Sequence, residues 1–339
     1  MKFNRKKSYV GLEIISSELK LAVCENDIIK KIVLERIPNN LVDNDIVLDW
    51  NQLGSFIKET MKKHSITCKR VALVLPEEIA YVRRLLMPYM TIPQLKFNLP
   101  FEFHDFTGDE KDKYVYDYAV MDILEEEENG TTTKKLDLLA VVIAKETIDN
   151  YIVMLKKAGL SLEIAAPEAC AYQNIIKKYL EKTKPETAGD YAILDIRKGN
   201  ANLRIFTNGK YESSREMEFN LQRVVDMIKE KFQVSNDVAL QYLDEGKEEV
   251  VYSEEAMSVY SQISLEVMRI INFFLYNHPN NTLDTLYCCG MGGKIDPLRS
   301  MLEETVGLRV KELHELFDAQ TEQEKMITVG AATVGITWN

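Results

Sequence analysis

The chain is short of the residues that build metal centres and thiol sites. Histidine occurs only four times in 339 residues, as His64, His104, His278 and His314. None of these is spaced as a ligand pair on one helix face. Five cysteines, Cys24, Cys68, Cys170, Cys288 and Cys289, are odd in number and share no CxxC spacing. They exclude a disulfide framework and a structural zinc, and they read as reduced core thiols of a cytoplasmic protein. Basic charge is also scarce: 42 Lys and Arg stand against 53 Asp and Glu, for a net charge of -11. That balance excludes a nucleic-acid partner, which needs a basic face for phosphates. Long apolar runs are missing too. The longest, Leu138 to Ala144, falls far below the roughly 20 residues of a membrane helix. The basic start is followed by no signal-type apolar stretch before Glu13. The expectation is a soluble protein that does not insert into a membrane itself.

What is present suits two ordinary α/β domains: 46% hydrophobic and 28% charged residues in a length of about two domains. One pattern occurs twice. Tyr9 to Val23 reads as an apolar strand, the acid Glu13, a short loop and a returning strand. Tyr191 to Phe206 repeats it with Asp195 as the acid. Two such hairpins suit a phosphate held between them. A phosphate loop needs glycine where backbone amides approach oxygen closely, and here those positions carry Ile15 and Arg197. An arginine there either binds phosphate directly or pairs with Glu13 and fills the site.

Periodicity fills in the rest. Strands are expected over Val10–Ile14, Leu19–Cys24, Ile28–Leu34 and Val71–Leu75, with a turn at Glu25–Asp27. A helix over Asp49–His64 places Leu53, Phe56, Ile57 and Met61 on one face, with Asp49 as its cap. Asp149 also reads as a helix cap. Pro88, Pro93 and Pro100 punctuate the next stretch. Tyr114–Leu124 and Leu136–Ala144 then alternate as a hairpin whose tip is the acidic run Glu125–Glu128, a solvated turn. Helices follow over Lys145–Ala158 with Gly159 as C-cap, and over Pro167–Tyr179. After the second hairpin come a strand at Tyr211–Glu218 and helices at Leu221–Phe232, Val238–Leu243 and Ala256–Tyr276. The strand Leu283–Cys289 ends in Gly290-Met291-Gly292-Gly293, and Asp296-Pro297 opens another helix. The tail Ile327–Ile336 carries small residues suited to close helix packing.

Five patches carry a resemblance. They are Val10-Gly11-Leu12-Glu13 with Ser16-Ser17-Glu18-Leu19-Lys20; Leu99-Pro100-Phe101-Glu102 before Val115-Tyr116-Asp117-Tyr118; Ala158-Gly159-Leu160; Ile193-Leu194-Asp195-Ile196 with Arg215-Glu216; and Tyr287-Cys288-Cys289-Gly290-Met291-Gly292-Gly293 before Asp296-Pro297-Leu298. In this order the chain resembles the actin-like ATPase superfamily, and within it the PilM family of type IV pilus assembly proteins. The resemblance implies an α/β actin-like ATPase fold of two ribonuclease H-like domains. Domain I would span residues 1–188, with a 1C-type subdomain insert at about 82–144. Domain II would span 189–339, with a 2B-like helical part at about 221–280.

By the same resemblance, ATP would meet Glu13, Ser16, Ser17, Lys20, Asp195, Arg197, Gly290, Gly292 and Gly293. Glu13 and Asp195 would face Mg²⁺ through water. Ile15 and Arg197 weaken that site. The bland reading stays open beside it: Glu13 and Asp195 as strand-end acids, and the glycines as a plain strand-to-helix turn. Nothing marks a catalytic acid for a phosphoryl acceptor. The resemblance further implies a groove at Phe97, Leu99, Phe101 and Phe103 for the N-terminal peptide of a PilN-like inner-membrane protein, although such residues also serve as subdomain core. The expected role is a scaffold of a type IV pilus or related type II secretion machine. It would meet other pilus assembly proteins at the inner face of the membrane. An active ATPase or kinase and an FtsA-like division protein are the alternatives; the second fits less, because no amphipathic helix closes the sequence.

Overall fold

The computed structural model describes residues 8–316 apart from 16–17, 26–27, 39, 44–45, 129–130 and 198. The expected turn at Glu25–Asp27 falls partly outside these residues, and the small-residue tail from Ile327 wholly so. The described chain forms two compact units whose boundary falls between Asn174 and Ile175.

The first unit opens on an antiparallel meander, β1 (Ser8–Ile15), β2 (Glu18–Glu25) and β3 (Ile28–Arg36). Strands β1 and β2 are almost continuously buried, as strands covered on both faces must be. Two short strands, β4 (Val42–Asp43) and β5 (Ile46–Val47), lead to α1 (Trp50–Lys63). Asp49 caps α1, its carboxylate accepting from the Gln52 amide at 2.9 Å. Leu53, Ile57 and Met61 form the buried face. Strand β6 (Arg70–Leu75) then pairs with β1 in parallel.

An insert follows: β7 (Ala80–Pro88), α2 (Ile92–Asn98), a 3-10 turn over Leu99–Phe103, α3 (His104–Thr107), β8 (Tyr114–Glu128) and β9 (Thr131–Ala144). Its sheet has the order β7-β9-β8. Leu136, Leu138, Ala140 and Val142 alternate along β9 toward a core that Leu95, Leu99 and Phe103 complete. On the opposite face, buried Asp137 accepts both Nε and Nη2 of Arg84, each at 2.8 Å. The acidic run Glu125–Glu128 is strand rather than turn. Glu125 pairs with Lys134 at 2.6 Å and Glu126 with Lys135 at 2.7 Å, and such cross-strand pairs extend a ladder that composition alone disfavours.

Helix α4 (Lys145–Ala158) and β10 (Ser161–Pro167) complete the first unit, with α5 (Glu168–Thr183) crossing its boundary. Asp149 lies inside α4, not at its cap, because the helix already starts after Ala144. Gly159 ends it in the left-handed conformation. Gly54 lets α1 approach α4: a Cβ there would sit 2.5 Å from the carbonyl of Met154.

The second unit repeats the scheme. Strands β11 (Tyr191–Ile196), β12 (Asn200–Thr207) and β13 (Lys210–Glu218) form the meander. Helices α6 (Leu221–Phe232), α7 (Asn236–Asp244), α8 (Glu248–Val251) and α9 (Glu254–Asn277) follow. Strand β14 (Thr285–Gly290), α10 (Asp296–Val306) and β15 (Arg309–Glu312) close the unit. The sheet orders are β10-β6-β1-β2-β3 in the first unit and β13-β12-β11-β14-β15 in the second. Each is an antiparallel meander extended by two parallel strands beside its first strand. This duplicated sheet is the actin-like fold expected from the two hairpins.

Candidate phosphate-loop site

In the first hairpin Glu13 lies directly opposite Lys20 in the β1/β2 register. Lys20 Nζ stands 3.2 Å from Glu13 Oε2, and both residues are buried. Ile15 pairs with Glu18 as ordinary extended strand. It is not among the described residues with positive φ, so a β-branched side chain costs no left-handed strain there. Ser16 and Ser17 lie outside the described residues.

In the second hairpin Asp195 is 1% exposed at the end of β11. Its Oδ2 is held by Arg197 from Nε at 3.0 Å and Nη2 at 2.9 Å. The Arg197 amide donates to the Asn200 carbonyl at 2.9 Å and closes the hairpin. Strand β14 runs parallel to β11 with Ile196 beside Gly290. Gly290 adopts φ +77°, and a Cβ there would lie 2.4 Å from the Ile196 carbonyl and 2.7 Å from Asp195 Oδ1. A Cβ on Gly292 would meet Ile196 Cγ2 at 2.3 Å, and one on Gly293 would meet the Cys288 backbone at 3.1 Å. Asp195, Arg197 and the three glycines therefore form one cluster inside the second unit. Glu13 and Lys20 form another inside the first.

Three further polar side chains are buried. Asn202 stands opposite Asp195 in the ladder, Arg204 is fully buried on the same strand, and Glu168 is buried at the start of α5. The alternation Asn200, Asn202, Arg204 against Ala201, Leu203, Ile205 held the signal for the first two: a strand with one polar buried face. Buried Glu168 left no such pattern.

The residues do not fit a water-mediated Mg²⁺. Magnesium dehydrates reluctantly and usually keeps several waters, so its acids must be reachable and negative. Both acids here are nearly inaccessible, and each already carries a resident cation. The glycines are needed by the packing around Ile196 and Cys288 without any ligand. Burial pushes the Cys288 thiol up to about 12. Among the described residues no His, Cys, Asp and Glu cluster could hold a metal ion.

Of the four expected groove residues, Leu99 and Phe103 turn into the insert core and are buried. Leu99 and Phe103 lie at the two ends of the 3-10 turn. Phe97 and Phe101 point outward, 70% and 53% exposed, with ring centroids 5.8 Å apart. Lys111 Nζ lies over the Phe101 ring at 4.9 Å.

The profile of the PilM_2 family, described as Type IV pilus assembly protein PilM, matches residues 11–328. The chain belongs to this PilM family. Comparison with curated proteins finds no match. Among solved structures, the fold is similar to a PilM–PilN type IV pilus biogenesis complex, with a TM-score of 0.77, 18% identity and 97% of each chain covered. It is also similar to the ethanolamine utilization protein EutJ from Carboxydothermus hydrogenoformans, at TM-score 0.57 and 12% identity over 97% of this chain and 90% of that one. MreB5 of Spiroplasma citri bound to ADP gives TM-score 0.53 and 12% identity over 96% and 95%. These likenesses establish the actin-like fold; PilM membership rests on the family profile. No described helix is long and apolar enough to cross a membrane.

Proposed function

We propose that this PilM-family chain is an assembly scaffold that captures the N-terminal peptide of a PilN-like inner-membrane protein on its three-stranded insert. The observation that carries the reading is the outward pair Phe97 and Phe101, exposed on a layer that Leu99 and Phe103 anchor to the core. Exposed aromatics on a fixed support are what a binding surface needs. The PilN named in the similar pilus complex supports the choice of partner. Through that partner the chain is recruited to the inner face of the cytoplasmic membrane and meets other pilus assembly proteins. ATP and Mg²⁺ bind weakly at most, because Ile15 and Arg197 replace loop glycines and both acids are internally neutralised.

Fluorescence anisotropy with a labelled PilN-type N-terminal peptide tests this. Replacing Phe97 and Phe101 together by serine is expected to weaken binding by roughly 30- to 700-fold, from about 1–2 kcal/mol per lost anchor. The melting temperature should stay unchanged. A peptide that binds the double variant as well as wild type refutes the site.

A further inference from the structure

Helix α9 buries one face and leaves the other patterned. Val259, Ile263, Val267, Ile271 and Phe274 turn into the core of the second unit. On the outer face Leu265, Phe273 and Tyr276 stand 41%, 69% and 86% exposed, with Arg269 and Asn272 between them, also exposed. Steps of three and four residues put these side chains on one stripe. Lone exposed apolar residues are ordinary; a leucine and two aromatic rings along one stripe form a patch that marks a contact. The stripe is held in place. The Asn277 side chain donates to the Phe273 carbonyl at 2.7 Å, and the His278 ring stacks on buried Phe274 with centroids 4.4 Å apart.

Charge narrows what can cover it. Helices that lie on lipid carry a basic polar face, whereas α9 has no lysine and a single arginine. The chain as a whole is at -11, so two copies repel unless they meet on a neutral surface. The stripe supplies one, because Arg269 is ion-paired with Glu266. Its order is also self-complementary: leucine at one end, arginine in the middle, aromatic rings at the other end. We infer that this stripe is a two-fold contact between copies of this chain, formed by antiparallel pairing of α9 with α9. With the symmetry axis beside Ile270 and Ile271, Leu265 comes to the same height as Tyr276 of the second copy, and Arg269 comes beside its Phe273. Two-fold symmetry makes each contact twice. The leucine and tyrosine bury apolar surface, and the guanidinium gains a ring face. Parallel pairing would instead set Arg269 against Arg269. The stripe is short, so the dimer is a weak one. It lies in the second unit, away from the insert in the first, and needs no peptide ligand.

Sedimentation of the full chain over a series from low to several hundred micromolar tests this. Wild type is expected to pass from monomer to dimer along the series. Phe273→Ser with Tyr276→Ser should stay monomeric throughout at an unchanged melting temperature, since neither side chain is buried. Thiol crosslinking then reads the register. Positions 265 and 276 lie about 16 Å apart along one helix, too far for a disulfide within one chain. Leu265→Cys chains mixed with Tyr276→Cys chains should therefore give a covalent dimer under diamide, and neither variant alone should exceed the wild-type background. A wild type that remains monomeric at every concentration overturns the inference. So does a dimer that survives the double serine substitution, or crosslinking of Leu265→Cys to itself. Binding of the monomer to phosphatidylglycerol vesicles through Phe273 and Tyr276, in place of dimerisation, overturns it in favour of a lipid surface.

Discussion

At the scale of the residue, two polar side chains show how context sets a sign. Glu35 accepts from Lys63 Nζ at 2.6 Å and meets His64 Nε2 at 2.6 Å. The Lys63 and His64 hydrogen bonds hold its carboxyl below the usual carboxylate value. A depressed pKa means stability that is present above the unfolded value and lost as pH falls through the folded one. Glu35→Gln is therefore expected to cost about 0.5 kcal/mol at neutral pH, a modest figure because the pair is partly solvated. In urea titrations the gap from wild type should narrow as pH falls below the usual carboxylate range. Tyr260 gives the opposite sign. It is fully buried in α9, and its hydroxyl meets no hydrogen-bond partner among the described residues. Tyr260→Phe keeps the ring packing and removes the desolvated oxygen. It should be neutral or stabilising by up to about 1 kcal/mol, read as a higher urea midpoint at unchanged slope. Neither effect was legible in the sequence, because each depends on partners far away in the chain or on having none.

At the scale of the element, the insert hairpin shows what pattern reading catches and where it stops. The apolar alternation of Leu136 to Ala144 identified β9, and Tyr114 to Leu124 identified most of β8. The end of β8 was hidden, since a glutamate run extends a strand only when lysines face it in register. The expected groove residues Phe97, Leu99, Phe101 and Phe103 looked equivalent as a list; the structure buries Leu99 and Phe103 and exposes Phe97 and Phe101. Strand β8 is also an edge strand of fifteen residues, long enough to recruit another strand. Two aspartates guard it. Asp117 accepts from the Tyr118 amide at 2.9 Å and Asp122 from the Ile123 amide at 2.8 Å. Each carboxylate occupies a donor and adds charge to the edge. Asp117→Ala with Asp122→Ala should leave the monomer folded but shift it to larger species in light scattering at high concentration. A variant that remains as monodisperse as wild type would show that these acids do not protect the edge.

At the scale of the whole molecule, the duplication was legible from two hairpins because strand, acid and loop are local features. The glycine run was visible as well, but its physical reason was not. Gly290 is required by a parallel neighbour, β11, that lies far away in sequence. Gly54 is required likewise by α4. Each unit has its own core, so damage to one should report mainly within that unit. Gly290→Ala adds a methyl 2.4 Å from a carbonyl at a left-handed backbone, costing at least about 3 kcal/mol from overlap and strain together. Gly54→Ala improves helix propensity by about 1 kcal/mol. The Met154 carbonyl at 2.5 Å outweighs that gain, because α1 and α4 must move apart to admit the methyl. Hydrogen exchange should therefore quicken in β11 and β14 for Gly290→Ala, and in α1 and α4 for Gly54→Ala. Faster exchange in both places from either single substitution would mean that the two cores open as one cooperative body.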